Sequence, residues 1–129
     1  NKKWPFFKDL ILRLKKEFKN KYPVLTAPIS NEIPQARNLN AKVVLDNGKP
    51  INIKMLISLI NNAKIIISND TGPAHIASHL NKNGLVLFGG HTTSKKVSIE
   101  NSNFKAINVK NLSDLSVDVV LKEVLEKLN

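Results

Sequence analysis

The sequence has no cysteine, a single tryptophan, and no apolar run that approaches the length of a membrane span. Without cysteine, disulfides, thiolate metal sites and a cysteine nucleophile are excluded, and this composition suits the reducing cytosol. A bilayer-spanning helix needs about 20 consecutive apolar residues. The chain starts with Asn1 rather than methionine, so its start says little about targeting signals. The 129 residues, 42% of them hydrophobic, predict one folded domain of ordinary size.

Negative charge is also scarce, because 10 acidic residues stand against 20 lysines and arginines and leave a net charge of +10. Such a surplus attracts phosphates, anionic lipid or nucleic acid. Lysine, asparagine and isoleucine are all abundant, however, as an AT-rich genome would dictate. We therefore interpret the charge mainly as compositional, although it would still favour contact with an anionic membrane face.

Helical and extended patterns alternate along the chain. Near its start, apolar residues recur at helical spacing, at positions 6, 7, 10, 11, 14 and 18. Comparable patterns predict helices over residues 5–20, 32–40, 53–63, 72–80 and 115–128, strands over residues 22–26, 42–45, 64–68, 85–88 and 104–109, and a loop over residues 89–103. This alternation indicates an α/β fold, a Rossmann-like three-layer domain with a parallel sheet covered on both faces.

The order of the elements has one irregularity and one consequence. The chain opens on a helix, whereas a doubly wound domain normally opens on a strand, so we expect a first strand before residue 1. Sheets of this kind bind ligands beyond the carboxyl ends of their strands. The informative loops are therefore those that follow Thr26, Leu45, Ser68 and Phe88.

The strongest local signal is the stretch Ser-Asn-Asp-Thr-Gly-Pro-Ala-His, in which a strand ends and a helix begins within four residues. Gly72 lets a ligand approach the backbone, Pro73 suits a first helical turn, and the side chain of Asp70 or Thr71 can cap that turn. The free amides of the turn form a potential anion site. Asp70 could hold sugar or ribose hydroxyls, and His75 could donate to a phosphate oxygen.

The same stretch has a purely structural interpretation, since Asp-Thr-Gly-Pro is a good helix start without any ligand. The residues alone leave both interpretations open.

His79 follows His75 by one helical turn, and such a pair can bind a metal ion, but the sequence offers no evident third ligand. Trp4 is interpreted as a packing residue.

Two motifs together resemble glycosyltransferase family 9, the lipopolysaccharide heptosyltransferases. The first is Asp-Thr-Gly-Pro-Ala-His-Ile-Ala at residues 70–77, followed by the strand Leu-Val-Leu-Phe-Gly at residues 85–89. The second is Lys-Lys-Trp-Pro at residues 2–5, which opens the first helix. The motifs stand in the order and spacing of that family, and the resemblance covers essentially the whole chain.

The resemblance implies the C-terminal half of a GT-B enzyme, in which two Rossmann-like domains face a cleft and this one binds the ADP-sugar. The lysine that contacts the donor phosphates corresponds to Lys2, and the glutamate that contacts the nucleoside corresponds to Glu32, although Pro28 stands where the family has glycine. The residues that line the sugar and the diphosphate correspond to Asp70, Thr71, Gly72 and His75.

The resemblance also implies a reaction and a location. Heptose would pass from ADP-heptose to the lipopolysaccharide core, without a metal or other cofactor, in a cytoplasmic protein that contacts the anionic inner membrane peripherally. The catalytic base of that family is a carboxylate in the N-terminal domain, so we expect no catalytic residue here and no transfer by the isolated chain. Two alternatives remain open: a GT-B glycosyltransferase domain for a different nucleotide sugar, or a basic non-enzymatic nucleic-acid-binding module, although we expect no nucleic-acid partner.

Overall fold

The computed structural model describes residues 3–90 and 99–128, and helices and strands alternate in it as predicted. The helices are α1 (Phe7–Glu17), α2 (Ile33–Ala36), α3 (Ile53–Asn61), α4 (Gly72–His79) and α5 (Val117–Leu128), and the strands are β1 (Leu25–Thr26), β2 (Lys42–Val43), β3 (Ile66–Asn69), β4 (Gly84–Gly89) and β5 (Phe104–Val109). Short 3-10 helices precede α2 and α5, over Ser30–Glu32 and Leu112–Asp114. Most of the predicted loop over 89–103 falls outside the described residues. None of the described helices is both long and apolar enough to cross a membrane.

Strand β4 is the centre of a three-stranded parallel sheet with the order β3-β4-β5. Val86 in the middle of β4 pairs with Ser68 on one side and with Ala106 on the other. The first five residues of β4 are all buried. A short apolar run of this kind is typical of a parallel strand that helices cover on both faces.

The side chains of β4 alternate between two separate core clusters, because successive residues of a strand point to opposite faces. Leu85 and Leu87 pack in a cluster that includes residues of α1 and α5. Val86 and Phe88 pack in a second cluster, which includes residues of α3 and α4. Helices therefore cover both faces of this sheet, and the three-layer α/β prediction is confirmed.

Strands β1 and β2 pair with each other in a second, two-stranded sheet, also parallel. We predicted a single sheet, and the hydrogen bonds between the described strands instead form two. Pro23 and Pro28 flank β1. Proline has no N–H to donate to a strand ladder, so β1 is limited to two residues where the apolar pattern predicted five.

Trp4 fixes the segment that precedes α1. Its side chain is buried, and its Nε1 donates a hydrogen bond to the carbonyl oxygen of Leu115 at 2.8 Å. The rings of Phe6 and Phe7 meet it edge-on, with centroids at 6.0 and 5.1 Å. Edge-to-face rings at such distances attract each other. The interpretation of Trp4 as a packing residue is confirmed, and the segment is attached to the chain just before α5.

Candidate functional site

The candidate site lies where β3 is followed by α4. Strand β3 ends at Asn69 and helix α4 begins at Gly72, so only Asp70 and Thr71 separate them. The predicted strand tip followed directly by a helix is confirmed. In a parallel sheet this end of a strand lies at the edge where ligands bind.

Asp70 and His75 lie near each other at the first turn of α4. Nε2 of His75 is 3.9 Å from Oδ1 of Asp70, a distance that allows an ion pair when the imidazole is protonated but is too long for a hydrogen bond. The side chain of Asp70 is 11% exposed and that of His75 is 43% exposed. The carboxylate is therefore recessed and suited to accept hydrogen bonds from hydroxyl groups, while the imidazole can reach a ligand atom in solvent.

Thr71 does not cap α4 with its side chain, so this part of the helix-start prediction is wrong. Its backbone has the extended conformation of an N-cap residue, with φ −143° and ψ 170°, but no side-chain capping hydrogen bond forms. The hydroxyl instead lies 3.0 Å from Oγ of Ser68 and donates to the carbonyl oxygen of Asn69 at 3.4 Å. Because a hydroxyl group can donate as well as accept, the sequence could not decide whether Thr71 would accept from the helix amides or contact these neighbouring oxygens.

Fewer backbone amides are free at this turn than the sequence suggested. The N–H groups of Ala74 and His75 both donate to the carbonyl oxygen of Thr71, at 3.1 and 3.4 Å, and Pro73 has no N–H. Within the described part of the chain, the N–H of Gly72 has no hydrogen-bond partner. Among the described residues outside its own turn, a Cβ atom built on Gly72 would meet nothing within 4 Å. As far as residues 3–90 and 99–128 show, the turn is open in front of Gly72, and it offers one amide to an anion rather than a row of them.

Glu32 lies beside the segment that precedes α1. Its Oε2 is 2.7 Å from Nζ of Lys3, and its Oε1 accepts a hydrogen bond from the backbone N–H of Ile29 at 3.5 Å. A carboxylate has about four lone-pair sites, so Glu32 can accept a further hydroxyl while it keeps both contacts. Sequence reasoning missed Lys3, although it stands directly after the predicted phosphate ligand. Lys2 itself is outside the described residues.

Asn69 connects this segment to the strand tip. Its Oδ1 accepts a hydrogen bond from the backbone N–H of Trp4 at 3.0 Å. The structure thereby brings the predicted residues Glu32, Asp70, Thr71, Gly72 and His75 into one connected set, in which contacts join Glu32 to Lys3, Trp4 to Asn69, and Asp70 to His75. Sequence reasoning also missed Asn69, because nothing local indicates a contact across 65 positions.

The described residues contain no group of three or more histidines, aspartates and glutamates that could hold a metal ion. His75 and His79 therefore find no third ligand within residues 3–90 and 99–128. The expectation of a metal-free site stays a prediction.

Residues 1–116 match glycosyltransferase family 9 (heptosyltransferase). Among solved structures, the chain is similar to the E. coli heptosyltransferase WaaC with ADP, with a TM-score of 0.84 and 18% identity over 98% of this chain and 40% of WaaC. It is also similar to E. coli ADP-heptose lps heptosyltransferase II, with a TM-score of 0.74 and 22% identity over 98% of this chain and 42% of that one. No curated protein sequence matches significantly.

These likenesses have different weight. At such low identity, the similar structures show the fold alone, and the chain spans about two fifths of the length of each. The family match extends from the Lys-Lys-Trp-Pro segment through the strand tip to the start of the last helix. Because that match covers most of its 129 residues, the chain belongs to glycosyltransferase family 9, the heptosyltransferase family.

Proposed function

We propose that this chain is the donor-binding domain of a glycosyltransferase that transfers heptose from ADP-heptose to the lipopolysaccharide core. The observation that carries the proposal is the strand tip, where the recessed carboxylate of Asp70 lies beside an open turn at Gly72 in a chain of glycosyltransferase family 9. The similar structure of WaaC contains ADP, which supports ADP as the nucleotide.

The proposal gives each group of the site one task. The diphosphate lies at the start of α4, where the N–H of Gly72 and the imidazole of His75 can donate to its oxygens and the helix dipole favours negative charge. Lys2 adds a positive charge, as the family resemblance predicts. These groups stabilise the departing diphosphate electrostatically, which needs no metal ion.

The remaining carboxylates hold hydroxyl groups. Asp70 is recessed at the strand tip, so it accepts hydrogen bonds from the hydroxyls of the sugar, and Thr71 lies between it and the diphosphate. Glu32 keeps its contact with Lys3 and accepts a hydroxyl of the nucleoside. A general base must also take a proton from the acceptor hydroxyl. In the resembled family that base lies in the other domain, so the proposal assigns donor binding to this chain and no transfer by it alone.

The proposed acceptor and location follow from the same assignment. The lipopolysaccharide core is carried on a lipid, so the enzyme works at the cytoplasmic face of the inner membrane. The net charge of +10 supports peripheral contact with that anionic surface. Binding of nucleic acid is not part of the proposal.

Replacement of Asp70 by alanine tests the assignment of the sugar. Because Asp70 contacts sugar hydroxyls, Asp70→Ala should lower the affinity for ADP-heptose by about tenfold, the effect of one lost charge-assisted hydrogen bond. The affinity for ADP should not change. Isothermal titration calorimetry with both ligands measures this difference.

The matched control is Asp114→Ala, which removes the same charge from an exposed position before α5. The assignment would be contradicted if Asp70→Ala lowered the affinities for ADP and ADP-heptose equally, or if Asp114→Ala lowered the affinity for ADP-heptose as much as Asp70→Ala does. Titration with UDP and GDP covers the second candidate donor class, since tighter binding of either one than of ADP would identify a different nucleotide sugar.

A further inference from the structure

Six lysines lie at the end of the molecule opposite the strand tip. We call them the basic edge, which consists of Lys15, Lys16, Lys19, Lys21, Lys42 and Lys64. Helix α1 ends among them at Glu17, strand β2 begins with Lys42, and Lys64 stands two residues before β3. Asp70 directly follows the other end of β3. At about 3.3 Å per residue of strand, Lys64 and Asp70 are about 20 Å apart.

Contacts between side chains bring the lysines of three separate elements to this edge. The Nζ atoms of Lys21 and Lys64 lie 5.4 and 5.2 Å from the ring centroid of Tyr22, so the chain before β1 adjoins the chain before β3. An aromatic ring attracts ammonium groups at such distances. Nζ of Lys15 donates a hydrogen bond to the carbonyl oxygen of Asn40, two residues before β2 begins. The basic edge is therefore one surface.

Carboxylates do not balance the charge of the basic edge. Among the described residues, none of its six lysines forms an ion pair, whereas Lys3, Arg13 and Lys105 each pair with a carboxylate. Glu17 is the only acidic residue of the segment 10–31, which carries four of the six lysines. An abundance of lysine explains their number but not their position away from carboxylates. A surface of this kind attracts an anionic partner.

We propose that the basic edge docks on an anionic lipid bilayer, with the donor-binding strand tip at the opposite end of β3. The inference rests on the proposed function, which requires contact with a lipid-linked acceptor, and it assigns that contact to one surface. Clusters of about four to eight lysines bind anionic lipid, and each lysine near the surface strengthens binding by about fivefold. A saccharide that is carried on a lipid projects from the bilayer, so the donor does not need to touch the lipid.

Nucleic acid fits this surface less well than lipid. Proteins that bind single strands stack bases on free aromatic rings. The ring of Tyr22 instead contacts two ammonium groups and meets the ring of Phe18 edge-on at 5.2 Å. The basic edge thus offers charge without a free ring, which suits the headgroups of a bilayer.

Co-sedimentation with lipid vesicles tests the surface, with phosphatidylglycerol vesicles as the anionic probe and phosphatidylcholine vesicles for comparison. The first variant combines Lys21→Gln, Lys42→Gln and Lys64→Gln. The matched control combines Lys8→Gln, Lys54→Gln and Lys110→Gln, which are exposed and lie outside the basic edge. Both variants lose three positive charges. The first should lower the partition coefficient for anionic vesicles by about 100-fold and the control by less than about threefold.

A fluorescent label reports the orientation on the bilayer. Since the chain has no cysteine, one introduced cysteine gives a unique attachment point. Asn62→Cys places the label two residues before Lys64, and Ser113→Cys places it after β5, at the end of the sheet that carries the strand tip; both positions are exposed. A quencher carried by the lipid should reduce the fluorescence of the first label and leave the second unchanged. Equal quenching of the two labels would overturn the inference.

The remaining outcomes distinguish this inference from the proposed donor site. Equal losses of vesicle binding in the two triple variants would indicate attraction by overall charge and overturn the inference. Release of the parent chain from the vesicles by duplex DNA at the same phosphate concentration would overturn it too. Both triple variants should bind ADP as the parent does, because none of their lysines lies at the strand tip. A parent that binds ADP but no vesicles refutes the inference alone, and one that binds vesicles but no ADP refutes the donor site alone.

Discussion

At the scale of single residues, prediction succeeded where the information was local. Asp70 and Gly72 were located correctly because a β-branched strand, two short polar residues and a Gly-Pro pair define a strand tip and a helix start within a few positions. The hydroxyl of Thr71 was expected to cap α4 and instead contacts Oγ of Ser68 and the carbonyl oxygen of Asn69, because a hydroxyl group can donate as well as accept. The partners of Asn69 and Glu32 lie far away in sequence, and no pattern within one sequence identifies such pairs.

Gly72→Ala should separate ligand binding from stability. A methyl group at this position meets no atom within 4 Å among the described residues outside its own turn, so the free energy of unfolding should change by less than about 0.5 kcal/mol. The same methyl group would keep a phosphate from the N–H of Gly72. The loss of that charge-assisted hydrogen bond should lower the affinity for ADP by about tenfold or more. Urea unfolding and calorimetric titration of one preparation measure both quantities.

Gly84→Ala is the matched control, with the opposite expectation. A Cβ atom at this position would overlap the ring of Phe104 and lie 2.8 Å from the carbonyl oxygen of Ile66. Overpacking of this kind costs about 1–3 kcal/mol. We expect lower stability and unchanged ADP affinity for the fraction that is folded. Unchanged binding in Gly72→Ala would mean that no ligand approaches this turn.

At the scale of elements, the type and order of the helices and strands could be predicted, and their lengths often could not. The last helix was predicted over residues 115–128 and occupies Val117–Leu128, because its apolar spacing is regular. Strand β1 is shorter than its apolar pattern, since the flanking prolines interrupt the ladder. Apolar periodicity reports burial, whereas strand ends depend on which backbone groups find partners.

The last turn of α5 packs on the amino end of the sheet through Lys127. Its Nζ donates to the carbonyl oxygen of Asn103 at 2.8 Å and to Oδ1 of Asn83 at 3.4 Å. Burial, followed by the nearby charge of Lys105, lowers the pKa of Lys127 below 10.5, and Glu123 opposes this effect. Attachment of α5 at this end should therefore depend on pH.

The direction of that dependence follows from linkage. Between the lowered pKa of Lys127 and 10.5, the folded protein has already released this proton, whereas the unfolded chain still binds it. The free energy of unfolding should therefore increase as the pH rises through this range. Lys127→Gln should lack this gain. Urea unfolding of both proteins across the alkaline range measures it, with the exposed Lys122→Gln as control. Parallel pH profiles for the parent and Lys127→Gln would show that the shift is absent.

At the scale of the whole molecule, the layered α/β architecture could be predicted, and the division into two hydrogen-bonded sheets could not. The alternation of helices and strands is sufficient for the layers, since an apolar strand needs cover on both faces. Sheet continuity depends on which strand edges meet, and this information is not local. The net charge of +10 describes the whole surface, so it cannot by itself distinguish a specific diphosphate site from general attraction to anions.

The most direct test of the account is a titration of the isotope-labelled chain with ADP, followed through its backbone amide resonances. We predict saturable shifts that are largest at Gly72 and His75, with further changes around Glu32. Shifts spread over the lysines of α1 and α5 that disappear with added salt, with none at residues 70–75, would contradict the assignment of a diphosphate site to this strand tip.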